Sequence, residues 1–143
     1  MNPEEKGTVW DLAFYRIETA KNDLNSARVL FDIHDFKGAN NRAYYAIFHA
    51  ISAVLALEKT AFKRHKDTLA YFNKTYVKPE IFPRAIGHQI AEAAEIRHAS
   101  DYDDFYIATK DEALEMLETA SNLIKMIKTY CQEKEELYRD KET

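Results

Sequence analysis

Apolar residues recur at three- and four-residue intervals over most of the chain, the spacing that places them along one face of a helix. Ala13, Ile17, Ala20, Leu24, Ala27 and Phe31 form such a stripe and predict a helix from about Thr8 to His34. Asp35 fits an N-cap for a second helix reaching about Leu57. A weaker third segment lies between Lys66 and Val77 and stops at Lys78-Pro79, because a residue before proline avoids helical angles. A fourth runs from about Pro83, a good first-turn residue, to near Asp101. The fifth opens with Thr109-Lys110-Asp111-Glu112, which fits a capping box. It continues through Ala113, Leu117, Ala120, Ile124, Ile127 and Cys131, and is expected to fray in Glu133-Lys134-Glu135-Glu136. No repeat, low-complexity tract or linker breaks the series, so residues 1–143 are expected to form one all-α domain, a four- to five-helix up-down bundle.

The second helix differs from its neighbours. Ala39, Ala43, Tyr44, Ala46, Ile47, Phe48, Ala50, Ile51, Ala53, Val54 and Leu55 cover most of its circumference. A helix apolar nearly all round is central in its bundle, or has one face against a partner subunit.

Composition narrows the function classes. With three glycines and three prolines in 143 residues, the turns of an all-β fold are not available, nor are the glycine-rich phosphate loops. No apolar run approaches the roughly 20 residues of a membrane span. The N-terminal Met1-Asn2-Pro3-Glu4-Glu5 is acidic rather than signal-like, and the single Cys131 cannot form an internal disulfide, so a cytoplasmic location is expected. The net charge of −4 is unevenly spread. Lys59 to Arg84 holds seven basic and two acidic residues, a balance of +5, whereas Glu92 to Thr143 holds 14 acidic and seven basic, a balance of −7. Solvated faces of opposite sign account for this, and so does a local anion or RNA contact around Lys63-Arg64-His65-Lys66.

Two polar features interrupt the apolar pattern. On the second helix Arg42, Tyr45, His49 and Ser52 fall within roughly 80° of arc at 100° per residue. A polar stripe on a buried helix must be hydrogen-bonded, so it is either an internal network with a carboxylate partner for Arg42, or a binding or catalytic cleft. In the second case Arg42 contacts an anion and His49 moves protons near neutral pH. On the fourth helix Ile86, Ile90, Ala93 and Ala94 define the inward face, and the same period brings Arg97 and Asp101 onto it. An arginine in an apolar register is paired or functional, and Asp101 at i+4 offers an ion pair. His98 and Tyr102 lie to one side.

Other residues carry less. His65, among basic residues, reads as a surface group or a cap, His34 and His88 are isolated, and Cys131 reads as a packed thiol. No paired Cys/His spacing or H-E-x-x-H exists for a metal, and Asp101, Asp103 and Asp104 lack the spacing and central glycine of a hard-cation loop. No cofactor is expected.

Arg42-Ala43-Tyr44-Tyr45-Ala46-Ile47-Phe48-His49-Ala50, followed by Arg97-His98-Ala99-Ser100-Asp101-Tyr102, resembles the HEPN family, in particular a branch with an R-A-Y-Y-A-x-F-H helix and a later R-x-x-A-D-Y. Ser100 stands where alanine is usual. The resemblance implies a bundle that forms a homodimer, often encoded beside a minimal nucleotidyltransferase in a toxin–antitoxin pair. Many relatives are metal-independent RNases whose arginine, separated by four to six intervening residues from a histidine, acts with it across the dimer cleft. The arginine then stabilises phosphate charge, and the histidine serves as acid or base for attack by the 2′-hydroxyl. If Arg97 is that arginine, the histidine positions hold Tyr102, Asp103 and Asp104. Arg42 and His49 satisfy the spacing, but within the other motif.

Three readings follow. The first is a non-catalytic or weakly catalytic member binding a nucleotide, RNA or a nucleotidyltransferase partner through Arg42, Tyr45, His49, His65, Arg97, Asp101 and Tyr102. The second is an RNase toxin using Arg97 with His49 or His98. The third is a dimeric interaction scaffold without nucleotide affinity.

Overall fold

The computed structural model describes residues 8–142; residues 1–7 and 143, and with them the acidic N-terminal stretch, lie outside the description. The described residues form five α-helices and no strand. These are α1 (Val9–Asp32), α2 (Phe36–Leu57), α3 (His65–Phe72), α4 (Arg84–Tyr102) and α5 (Lys110–Glu142), with a π-helical turn, Asn73–Val77, continuing α3. Each expected segment is a helix, and the capping chemistry follows the residues that predicted it. The Asp35 carboxylate accepts from the Gly38 N–H at 2.9 Å, and Thr109 and Glu112 close a reciprocal box at the start of α5. Thr8 and Asp11 form a second such box on α1. The expected fraying at Glu133–Glu136 is corrected: α5 stays helical to Glu142. An Arg139–Glu135 ion pair and the packing of Trp10 against Tyr138, ring centroids 5.7 Å apart, support its last turns.

With so few glycines the chain turns corners on other residues. His34, Lys59 and Glu80, just past α1, α2 and the π-turn, take left-handed φ values of 65°, 55° and 62°. That is the conformation in which helices commonly end.

Helix α2 is central. It packs on α1, α3, α4 and α5, and its Ala39, Ala43, Ala46, Ala50 and Ala53 are fully buried, so neighbouring backbones come close. Ile17, Ile47, Ile51, Leu55, Ile86, Leu123 and Ile127 fill the core around them. Burying side chains of this size contributes about 1.5–3 kcal/mol each before ordering costs. The Cys131 thiol is sealed in this core, where burial pushes its pKa up to about 12. No helix among the described residues is long and apolar enough to cross a membrane.

Candidate functional site

Where the C-terminal half of α4 crosses the first half of α2, the core turns polar. Asn40, fully buried, donates to the Ser100 hydroxyl at 3.3 Å. Its neighbour Asn41 donates to both carboxylate oxygens of Asp101 at 3.3 and 3.4 Å. These bonds fix the register of the two helices and hold Asp101 beside Arg97, whose Nε lies 2.9 Å from Asp101 Oδ2. The pair is partly sheltered, with side chains 19% and 22% exposed.

Only one edge of the Arg97 guanidinium faces that carboxylate. The rest lies in a cage of tyrosines, 5.0 Å from the ring centre of Tyr44, 5.6 Å from Tyr45 and 5.9 Å from Tyr102. One terminal N–H donates to the Tyr45 hydroxyl at 3.3 Å. Aromatic faces attract the cation without consuming its N–H groups. The expected inward arginine, with Asp101 as its partner, is therefore present, together with donors that Asp101 does not take up.

Tyr45 joins this cage to the polar stripe of α2. Arg42 lies over the same ring at 4.8 Å, and His49 stands next along the helix with ring centres 6.3 Å apart. The carboxylate partner expected for Arg42 is Asp23 of α1. One of its oxygens lies 3.5 Å from Arg42, and the other 3.6 Å from His49 Nε2. Burial lowers the His49 pKa; Asp23 opposes that shift, and Arg16 and Arg42 reinforce it.

His65 is a correction. Rather than lying on the surface among lysines, it opens α3 and packs inward over α2. Its ring centre is 4.0 Å from that of Phe48, and its Nδ1 is 3.4 Å from the Tyr44 hydroxyl. Burial, then the charges of Arg97 and His49, lower its pKa. Burial raises that of Tyr44, which Arg97 only partly offsets. Two imidazoles and a phenol are thus held neutral beside two guanidinium groups.

The sequence-selected residues separate into two groups. Arg42, Tyr45, His49, His65, Arg97 and Asp101 come together around Tyr45, with Tyr102 at the edge of the cage. Ser52 does not join them: its carbonyl accepts from Arg16 at 2.8 Å, and its side chain faces a separate cleft. His98 stacks on Tyr102 at 4.9 Å. Asp23, Asn40, Asn41 and Arg16 were missed. Three of them had a signal, since Arg16 and Asp23 stand three residues after Ala13 and Ala20 of the α1 stripe, and Asn40 extends the buried series Tyr44, Ile47 and Ile51 backwards.

A model of the HEPN domain matches residues 13–130, which include every residue of this cluster. The chain belongs to the HEPN family. Similar proteins include "Putative toxin MJ0605" of Methanocaldococcus jannaschii, 29% identical over 117 residues, 82% of this chain and 87% of that protein. "Putative toxin MJ0142" of the same organism is 27% identical over 114 residues, 80% of this chain and 78% of that protein. A "UPF0332 protein" of Thermotoga maritima is 27% identical over 127 residues, 89% of this chain and 92% of that protein. Within this HEPN chain the family match contains both motif helices, α2 and α4, and the loop that brings His65 to them.

Proposed function

We propose that this HEPN protein is a toxin-type member that binds RNA or a nucleotide by its phosphate at Arg97, working as a homodimer and cleaving RNA weakly or not at all. The observation that carries this reading is the Arg97 guanidinium, inward-facing and caged by tyrosine rings, with a single carboxylate on one edge. An arginine so placed is pre-oriented for a phosphate, to which its planar donors are matched. Arg42 brings a second cation to the Tyr45 ring. Weak cleavage follows from the positions after Arg97, where Tyr102, Asp103 and Asp104 stand in place of an imidazole. Tyrosine, with an ordinary pKa near 10, is a poor base at pH 7. Exposed Tyr102, Phe105 and Ile107 beside the cage provide apolar surface for a second copy. A nucleotidyltransferase partner, if one is encoded nearby, belongs to the same reading.

One arrangement favours a second reading, the metal-independent RNase. His49 and Arg97 flank the same tyrosine, and His49 and His65 are held as neutral imidazoles, the form a general base requires. Expression of the chain alone separates the two. The binding reading predicts that cells making the wild type and cells making Arg97→Ala grow alike. Growth arrest relieved by Arg97→Ala overturns it in favour of the nuclease. A particle with the mass of two chains in light scattering is expected of either.

A further inference from the structure

Helices α4 and α5 leave between them a cleft of about 340 Å³, built from one face of each helix. Three exposed carboxylates line it, Glu92 of α4 and Glu115 and Glu118 of α5, together with the carboxamides of Gln89 and Asn122. Its floor is apolar, formed by the buried Ala93 and Met116. No lysine or arginine lines the cleft, and no described residue pairs with the three carboxylates. A cleft lined by one sign of charge concentrates the opposite sign within it. The surrounding sequence adds to that field, since Glu92 to Thr143 holds 14 acidic and seven basic residues.

A second observation, independent of the charges, points to an occupant. Four polar residues are buried among the described residues: Asn40, Thr68, Ser100 and Thr119. Asn40 and Ser100 bond to each other, and Thr68 bonds to the Arg64 carbonyl. Thr119, only 8% exposed, lines the cleft and has no hydrogen-bond partner among the described residues. A buried hydroxyl without a partner is unfavourable, so this one is matched to a donor from a bound molecule. Its oxygen keeps a lone pair for that donor whichever way its own proton points.

We propose that this cleft binds a linear aliphatic di- or polyamine, a cation of the putrescine and spermidine class. Every polar side chain in the lining offers an acceptor oxygen, and an ammonium group has only donors to give. Glu115, Glu118 and Asn122 follow one another at three- and four-residue steps, which stand about 5–6 Å apart on a helix. Three or four methylenes hold two ammonium groups roughly that far apart, and the methylenes meet the apolar floor. A bare metal ion matches less well, because no three His, Cys, Asp or Glu side chains among the described residues are placed to hold one. The volume, at the lower end for ligand sites, suits a thin chain and not a helix of another protein.

The test is a calorimetric titration of the full chain, at constant ionic strength, with spermidine, putrescine, butylamine and magnesium chloride. Spermidine is expected to bind about tenfold more tightly than butylamine, which carries a single ammonium group. Glu115→Gln and Glu118→Gln, both at exposed positions, should each weaken spermidine about fivefold. Thr119→Val, which keeps the shape and removes the hydroxyl, should weaken it as well. Two controls should bind spermidine as the wild type does. One is Glu133→Gln, an exposed carboxylate about 16 Å beyond Asn122 along α5. The other is Arg97→Ala, because the cleft does not involve the phosphate site. Butylamine binding as tightly as spermidine overturns the site, and so does Glu133→Gln weakening spermidine as much as Glu115→Gln, since both mean diffuse attraction of cations. Magnesium bound more tightly than spermidine, and lost in Glu115→Gln, overturns the assignment to an amine.

Discussion

Asp23 is the residue on which the α2 side of the cluster depends. One carboxylate faces both Arg42 and His49, so it neutralises a guanidinium and holds up the proton affinity of an imidazole that burial depresses. Asp23→Asn keeps the shape and removes the charge. It should move the His49 titration, followed by NMR of the imidazole carbons, to still lower pH; an unchanged midpoint would mean the carboxylate does not govern this histidine. Arg97 and Asp101 were legible from periodicity, because a charge in an apolar register stands out against Ile86, Ile90 and Ala93. His65 was not. It sits in a loop-to-helix junction flanked by Arg64 and Lys66, where local composition signals surface and only the approach of α3 to Phe48 turns the ring inward. Ser100, the departure from alanine in the second motif, has a structural reason here: its hydroxyl accepts from the fully buried Asn40.

At the scale of elements, the helix boundaries were legible wherever side-chain chemistry makes a cap, as at Asp35 and Thr109. The π-turn was not, because nothing local distinguishes Asn73–Val77 from a continuing helix. Gly87 of α4 faces it, and a Cβ there would come 2.8 Å from Val77 Cγ1 and 3.2 Å from Asn73 Oδ1. Val77 is buried and its branched side chain cannot swing aside. Gly87→Ala is therefore expected to destabilise the fold by about 1–3 kcal/mol despite its better helix propensity. Adding Val77→Ala should make the glycine substitution itself less costly, a coupling that urea melts of the four proteins measure. Additive effects would contradict close packing at this crossing. The extent of α5 also escaped the pattern: the charged run after Cys131 suits a frayed end, but Trp10 from α1 reaches Tyr138 and extends the packing beyond it.

For the whole molecule, the buried titratable groups share one tendency, neutrality. His49 and His65 have pKa values lowered by burial, so as pH falls below about 6.5 the unfolded chain takes up protons that the folded chain refuses, and stability declines. Tyr44, Tyr76, Tyr106 and Cys131 have values raised by burial, the last two to about 12. Above about pH 9 the unfolded chain therefore loses protons that the fold retains, and stability declines again. Thermal melts across pH should show a plateau between these limits; stability rising as pH drops from 7 to 5 would contradict the neutral histidines. The all-helical fold was legible from periodicity and the lack of glycine and proline. The assembly of the site was not, because it depends on which faces of α1, α2 and α4 meet, and no single-helix pattern encodes that.

Whether Arg97 holds phosphate is decided by fluorescence anisotropy of a short labelled single-stranded RNA. Wild-type protein should bind with an affinity that falls as salt is raised. Arg97→Ala, shown to be folded by circular dichroism, should bind at least tenfold more weakly, and the RNA should be recovered intact from the wild-type mixture. Equal affinity of the two proteins would mean that Arg97 does not hold the phosphate.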